Sequence, residues 1–137
     1  MREYNLFISH SWTYGSQYDN LVKLLRQRPY FRFKNYSVPK DDPIHHAPTQ
    51  AHLREAIRRK MAPCHVVIIL AGVYGTYSKW INEEIYLAKQ RFNPSKPILA
   101  VAPFGSHRTS TTVQRAADRV VRWSTESVVA AIRTLAP

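Results

Sequence analysis

The sequence predicts an α/β protein, a three-layer sandwich in which helices cover both faces of a five-stranded parallel sheet ordered 2-1-3-4-5. Short apolar segments alternate with segments that carry apolar residues at helical spacing, and this alternation is typical of β-α-β units. Two apolar segments are continuous, as in the middle of a parallel sheet covered on both faces. The length of 137 residues and the 45% hydrophobic content suit one domain, residues 1–137, with an ordinary buried core.

The chain opens with a short apolar strand, Tyr4–Ser9, followed by a polar loop rich in hydroxyl groups. Ser16 and Asp19 have the spacing of a capping box, which predicts that a helix starts here. Pro29 is expected to end this helix, because proline cannot donate a backbone hydrogen bond. The predicted helix carries apolar residues at helical spacing: Tyr18, Leu21, Val22 and Leu25.

The next unit is a weaker strand, Phe33–Val38, which we expect nearer an edge of the sheet. A polar, proline-bounded loop follows, Pro39–Pro48. Thr49 is suited to cap a second helix, because its hydroxyl can accept a hydrogen bond from a free helical N–H. Pro63 is expected to stop this helix, whose apolar face carries Leu53, Ala56, Ile57 and Met61.

The C-terminal half holds the clearest strands. His65–Ala71 and Pro97–Pro103 are continuous and apolar, and a helix near Ser78–Phe92 separates them. A short helix near Val113 precedes a fifth strand, Arg119–Trp123. The last helix has apolar residues at i, i+3, i+4 and i+7: Val128, Ala131, Ile132 and Leu135. Right-handed crossovers between five such strands favour the flavodoxin-like order 2-1-3-4-5.

The chain is strongly basic, with 20 Lys and Arg against 9 Asp and Glu and a formal charge of +11. Such a charge attracts polyanions, but the basic residues are scattered, and no zinc spacing or RNA-binding aromatic motif accompanies them. We interpret the charge as a solvated basic surface and expect no nucleic-acid partner. The longest apolar run, Val66–Val73, is too short to span a bilayer, and the N-terminus lacks the pattern of a signal peptide. Together with a single cysteine, Cys64, these features predict a cytoplasmic protein with no membrane partner.

In doubly wound sheets, ligands bind beyond the carboxyl ends of the strands, near the switch point between strands 1 and 3. This rule indicates three loops, Ser9–Ser16, Pro39–His46 and Gly72–Ser78. The first loop has hydroxyl groups before a helix start, which can hold a phosphate, but an ordinary polar loop with a cap has the same composition. Neither common glycine-rich nucleotide motif is present.

The first candidate for chemistry is the pair Trp80 and Glu84, which lie at i and i+4 and share one face at the start of the third helix. A ring beside a carboxylate at this place can hold a sugar–base ligand and stabilise positive charge. Spacing alone favours the plainer interpretation, a core Trp with a solvated Glu. Spacing also leaves Glu83 open, because it lies at i+3 from Trp80.

Two further groups of reactive side chains receive a structural interpretation. Asp41, Asp42, His45 and His46 are sequential in a charged loop, whereas metal sites draw their ligands from convergent positions. We therefore predict no metal site. Cys64 opens a buried strand and is expected to be a small core residue.

A family resemblance runs through three segments: YNLFISHSW, VPKDDPIH and VVIILAGVYGTYSKWINEE. They resemble, in turn, the first strand and box, the BB loop, and the third strand with the Ser-x-Trp-x-x-x-Glu motif of TIR domains. The motif reads Ser78, Trp80, Glu84 here, and this register prefers Glu84 to Glu83. The resemblance covers essentially the whole chain, and it is closest to the TIR-like branch that includes the TIR proteins of the Thoeris antiphage system.

The resemblance implies an enzyme that cleaves NAD+, with NAD+ as substrate and no cofactor, and that makes a linear or cyclic ADP-ribose signal for a separate effector. It also implies self-association through TIR–TIR contacts and activity that depends on activation. Glu84 is the expected catalytic residue. The expected substrate-binding residues lie in the three loops and at the start of the third helix: Ser9, His10, Ser11, Trp12, Lys40, Asp41, Tyr74, Tyr77, Ser78 and Trp80.

Three other functions stay open at this point. A TIR-like scaffold that recruits partners, or senses a nucleotide without turnover, would have the same fold. An FMN-binding protein would use the Ser9–Ser16 loop and would be yellow. A nucleoside deoxyribosyltransferase breaks a similar N-glycosidic bond on a related fold. A phospho-receiver is excluded, because the first strand ends in Ile8-Ser9-His10 without an Asp.

Overall fold

The computed structural model describes residues 2–9, 15–37, 49–70, 78–102 and 111–137. Five strands alternate with five helices along these ranges. The strands are β1 (Glu3–Ile8), β2 (Arg32–Asn35), β3 (Val66–Leu70), β4 (Ile98–Val101) and β5 (Arg119–Val121). The helices are α1 (Gly15–Gln27), α2 (Gln50–Met61), α3 (Ser78–Gln90), α4 (Thr111–Ala116) and α5 (Thr125–Leu135).

The strands form one sheet in the order β2-β1-β3-β4-β5, and every neighbouring pair is parallel. This confirms the predicted order and the predicted edge position of the second strand. β1 lies between β2 and β3, since Leu6 pairs with Asn35 of β2 on one side and with Val66 of β3 on the other. The chain therefore changes direction across the sheet at β1, and the switch point lies between the carboxyl ends of β1 and β3.

Two apolar clusters, one on each face of the sheet, make the three layers. Leu6 and Ile8 of β1 pack with residues of α1 and α5 on one face. Phe7 packs with residues of α2, α3 and α4 on the other. Because side chains alternate along a strand, Ser9 is expected on the same side as Phe7, toward α2 and α3. This alternation decides which helix can meet the end of β1.

Local signals explain where several helices begin. The side chain of Thr49 accepts a hydrogen bond from the His52 N–H at the start of α2, as the sequence predicts, and Ser124 caps α5 in the same way through Ser127. α1 begins at Gly15, which places Ser16, the predicted cap, inside the first turn of the helix.

The edge of the sheet at β5 is shorter than the sequence predicts. β5 ends at Val121 instead of Trp123, and β4 runs from Ile98 to Val101 within the longer apolar segment. Asp118 links several elements on this side of the protein. Its carboxylate accepts a hydrogen bond from the Ile98 N–H at 2.7 Å and pairs with Lys89 of α3. One side chain thus joins α3, β4 and the start of β5.

The second predicted helix places its apolar face as expected. Ile57 and Met61 are fully buried, and Leu53 packs at the margin of the same cluster. Cys64 follows at 2% exposure, which confirms its predicted place in the core. Among the described residues, no helix is both long enough and apolar enough to cross a membrane.

Candidate active site at the carboxyl ends of β1 and β3

The site is built on the residue that follows β1. The Ser9 N–H donates to the Ile68 carbonyl of β3 at 2.9 Å, which continues the β1–β3 ladder by one residue. Ser9 is 1% exposed. Its position is therefore fixed by the sheet at the switch point, where ligands of this fold class bind.

Glu84 meets Ser9 from α3. The Ser9 hydroxyl donates to Glu84 Oε1 at 3.1 Å, and Glu84 is only 2% exposed. The helix directs Glu84 inward because Leu87 and Ala88, three and four residues later on the same face, are fully buried against the sheet. The interpretation of Glu84 as a solvated surface residue is therefore wrong.

Glu83 has a different partner. Arg54 of α2 donates two parallel hydrogen bonds to the Glu83 carboxylate, from Nε to Oε2 at 2.7 Å and from Nη2 to Oε1 at 2.9 Å. Gln50 also donates to Oε1, at 2.9 Å. The Arg54 guanidinium also lies over the Tyr86 ring, 5.2 Å from its centroid. The hydrogen bonds that Arg54 donates to Glu83 raise the pKa of Arg54. Glu83 joins α2 to α3, which leaves Glu84 as the carboxylate at the switch point.

A buried carboxylate at this place has a definite chemical use. Surroundings of low polarity strengthen its attraction for any positive charge that develops beside it. The hydroxyl of Ser9 fixes the direction of the carboxylate, so little reorganisation is needed when such a charge forms. The arrangement suits a reaction that passes through a cationic centre.

A network of polar side chains that the sequence did not reveal lies beside the end of β1. The Ile8 N–H donates to Ser37 Oγ at 3.0 Å. Asn35 Oδ1 accepts from both the Ser37 N–H, at 3.0 Å, and the Ser37 hydroxyl. Asn35 Nδ2 donates to Tyr18 Oη of α1 at 2.7 Å. The available signal was the spacing of Asn35 and Ser37, since residues at i and i+2 of an extended chain share one face.

The predicted site residues fall into two groups. The structure brings Ser9 and Glu84 together, and Ser78 and Trp80 lie on α3 in the two turns before Glu84, although their side chains are outside the described part. The other predicted substrate-binding residues lie outside the described ranges: His10, Ser11, Trp12, Lys40, Asp41, Tyr74 and Tyr77. The loop cluster interpreted as non-metal, 41–46, lies outside them as well. Within the described ranges, no three His, Cys, Asp or Glu side chains are grouped as metal ligands.

A further group of titratable side chains, Cys64 and Lys96, lies at the amino ends of β3 and β4. Burial raises the pKa of the Cys64 thiol to about 12, and Lys96 offsets this only partly. The Cys64 thiol donates to the Lys60 carbonyl at 3.4 Å. Burial lowers the pKa of Lys96, whose ammonium donates to the carbonyls of Ala62 and Cys64 at 2.8 and 2.9 Å. These contacts tie backbone segments together and offer no activated nucleophile.

Comparison with known proteins agrees with this geometry. A family model described as the TIR-like domain of the Thoeris protein ThsB matches residues 7–108, well over half of the chain. The match begins within β1 and includes α3 with its Glu84. No curated protein matches the chain.

Proposed function

The chain belongs to the TIR-like domain family of the Thoeris protein ThsB, and we propose that it is an antiphage-defence enzyme that breaks the nicotinamide–ribose bond of NAD+. Glu84 is its catalytic residue. The observation that carries the proposal is the Glu84 carboxylate, 2% exposed and bound by the Ser9 hydroxyl at the switch point of the sheet. The register of the Ser78, Trp80, Glu84 motif supports the same residue.

The proposed reaction needs little more than this carboxylate. Nicotinamide leaves as a neutral molecule, so its departure needs no general acid. As the bond from ribose C1′ to the nicotinamide nitrogen breaks, positive charge develops on the ribose, as in glycoside hydrolysis. The Glu84 carboxylate stabilises that charge. Water then adds to C1′ and releases ADP-ribose and a proton, or a nucleophile of the same molecule adds and gives a cyclic product.

Other parts of the proposal rest on the same site. Trp80 packs against the bound nucleotide, and Lys40 contacts its pyrophosphate. We propose that activity is conditional on activation, with self-association through TIR–TIR contacts as that step. The ADP-ribose product then diffuses through the cytoplasm to a separate effector.

The test compares two chemically identical changes at neighbouring positions. Wild type, Glu84→Gln and Glu83→Gln are expressed separately, and NAD+, nicotinamide and ADP-ribose products are measured by mass spectrometry before and after phage infection. Glu84→Gln is expected to lower the rate of NAD+ loss at least about a hundredfold, because the developing positive charge loses its counter-charge. Glu83→Gln is the matched control, since Glu83 is bound by Arg54 and Gln50, and it should retain most of the activity.

The circular-dichroism spectrum and the thermal midpoint of each variant establish that it is folded. Equal NAD+ levels in infected cells carrying wild type and Glu84→Gln, with both proteins folded, would reject the enzyme. The TIR-like binding module would then stand, because a buried carboxylate bound by a hydroxyl can also serve structure alone.

A further inference from the structure

Hydrogen bonds on both sides hold the end of β1. On one side, the Ile8 N–H donates at 3.0 Å to the hydroxyl of Ser37, which lies two residues beyond the end of β2. Ser37 is 8% exposed, so water is poorly placed to replace this acceptor. The next N–H, that of Ser9, points the other way and is accepted by Ile68 of β3 at 2.9 Å. The end of β1 is thus fixed from both sides.

The direction of each hydrogen bond in this network is determined. A backbone N–H can only donate, so the atom of Asn35 that faces the Ser37 N–H is the amide oxygen. The Ser37 hydroxyl also donates to that amide oxygen. Its proton is thereby directed away from Ile8, and the lone pairs of Ser37 Oγ can accept from the Ile8 N–H. The Asn35 amide nitrogen then faces Tyr18 Oη at 2.7 Å and donates to it, so α1 holds the orientation of the amide.

We propose that Ser37 is a positioning residue for the Glu84 site and acts through Ile8 and Ser9. The inference rests on the proposed function and adds to it a residue that neither the Trp/Glu motif nor the three loops contain. The Ser37 hydroxyl sets the path of the peptide that carries Ser9. That path sets the direction in which the Ser9 hydroxyl meets Glu84 Oε1. A small displacement of the carboxylate weakens its contact with the developing positive charge, because such stabilisation depends on preorganised geometry.

The kinetic test uses activated protein and follows NAD+ cleavage. Ser37→Ala is expected to lower kcat about tenfold, with a smaller change in KM, because Ser37 contacts the scaffold of the catalytic group. Ser37→Thr keeps the hydroxyl and is expected to stay within about threefold of wild type. Ser124→Ala is the matched control, since it removes the capping hydroxyl of α5. It should lower stability and leave kcat within about twofold.

A double-mutant cycle with Ser9→Ala separates positioning from a general loss of structure. If Ser37 acts through Ser9, then adding Ser37→Ala to a protein that already carries Ser9→Ala should lower kcat only slightly further. Independent, multiplicative losses in the double variant would overturn the proposal. An unchanged kcat in a folded Ser37→Ala protein would overturn it as well.

Hydrogen exchange keeps this test separate from the proposed function. Ser37→Ala should speed the exchange of the Ile8 and Ser9 amides at least about tenfold, with exchange in β4 unchanged. If wild type cleaves no NAD+, the proposed enzyme fails, and local acceleration would still support the role of Ser37 in holding Ser9. Unchanged exchange at both amides would refute that role whether or not the protein is an enzyme.

Discussion

Two adjacent carboxylates on α3, Glu83 and Glu84, point about 100° apart around the helix axis. Glu83 faces α2 and accepts hydrogen bonds from the Arg54 guanidinium, and Glu84 faces the end of β1 and accepts a hydrogen bond from the Ser9 hydroxyl. Their chemistry is the same, so their surroundings decide their roles. Glu83 forms an ion pair with Arg54 and so links α3 to α2. Glu84 is buried and accepts a hydrogen bond from the Ser9 hydroxyl at the switch point of the sheet.

A prediction at this scale concerns the single thiol. Because burial raises the pKa of Cys64 to about 12, only about one molecule in ten thousand carries the reactive thiolate at pH 8. Alkylation of the native protein by iodoacetamide should therefore be at least about a thousandfold slower than alkylation of the protein unfolded in guanidinium chloride. Mass spectrometry of timed samples measures both rates, and one cysteine per chain makes the product unambiguous. Similar rates in the two states would contradict the buried position of Cys64.

At the scale of elements, Asp118 joins α3, β4 and β5. Its partial burial raises the pKa of its carboxyl, but the hydrogen bonds from Lys89 and from the Ile98 N–H outweigh this, and the net pKa is lowered from the ordinary value of 3.8. A folded-state pKa below the unfolded one stabilises the protein above the unfolded value. This contribution is lost as the pH falls through the folded value.

Asp118→Asn should therefore cost about 1 kcal/mol of unfolding free energy at pH 7, a small value because the side chain is partly exposed. The difference between wild type and variant should shrink as the pH falls below about 4. Urea unfolding at several pH values measures it. Other carboxyls, such as Glu55 with a pKa lowered to about 2, titrate in both proteins and cancel. A difference that stays constant down to pH 2 would mean that the charge of Asp118 has no role.

Local signals in the sequence predict the elements well and the contacts between them poorly. The Thr49 cap and the apolar run of β3 are encoded within a few residues, so the helix start and the central strand could be predicted. The ends of the strands could not be predicted in this way, because β5 ends where its pairing with β4 ends, and that pairing joins residues far apart in the sequence. The hydrogen bond between Ser9 and Glu84 spans 75 positions. The resemblance to TIR domains selected Glu84, but only packing shows that Ser9 orients it and that Arg54 occupies Glu83.

At the scale of the whole molecule, charge is far from balanced. If every one of the 9 acidic residues paired with one of the 20 Lys and Arg, eleven cations would remain. The ion pairs of the described part already engage several of the acids, among them Glu55, Glu83, Asp118 and Glu126. The unpaired cations repel one another in the compact state, and this repulsion opposes folding.

Salt should therefore stabilise this protein. The Debye length falls from about 30 Å at 0.01 M salt to about 8 Å at 0.15 M, so repulsion between distant cations is screened while contacts between buried partners change little. We expect the unfolding free energy to rise by about 1 kcal/mol over this range, and the thermal midpoint by roughly 4 °C. Calorimetry in sodium chloride measures the shift, and sodium phosphate at the same ionic strength is the control. Equal shifts in the two salts indicate screening alone, whereas a larger shift in phosphate indicates a bound anion. A midpoint that falls with sodium chloride would mean that the local ion pairs, such as Arg54 with Glu83, outweigh the net charge.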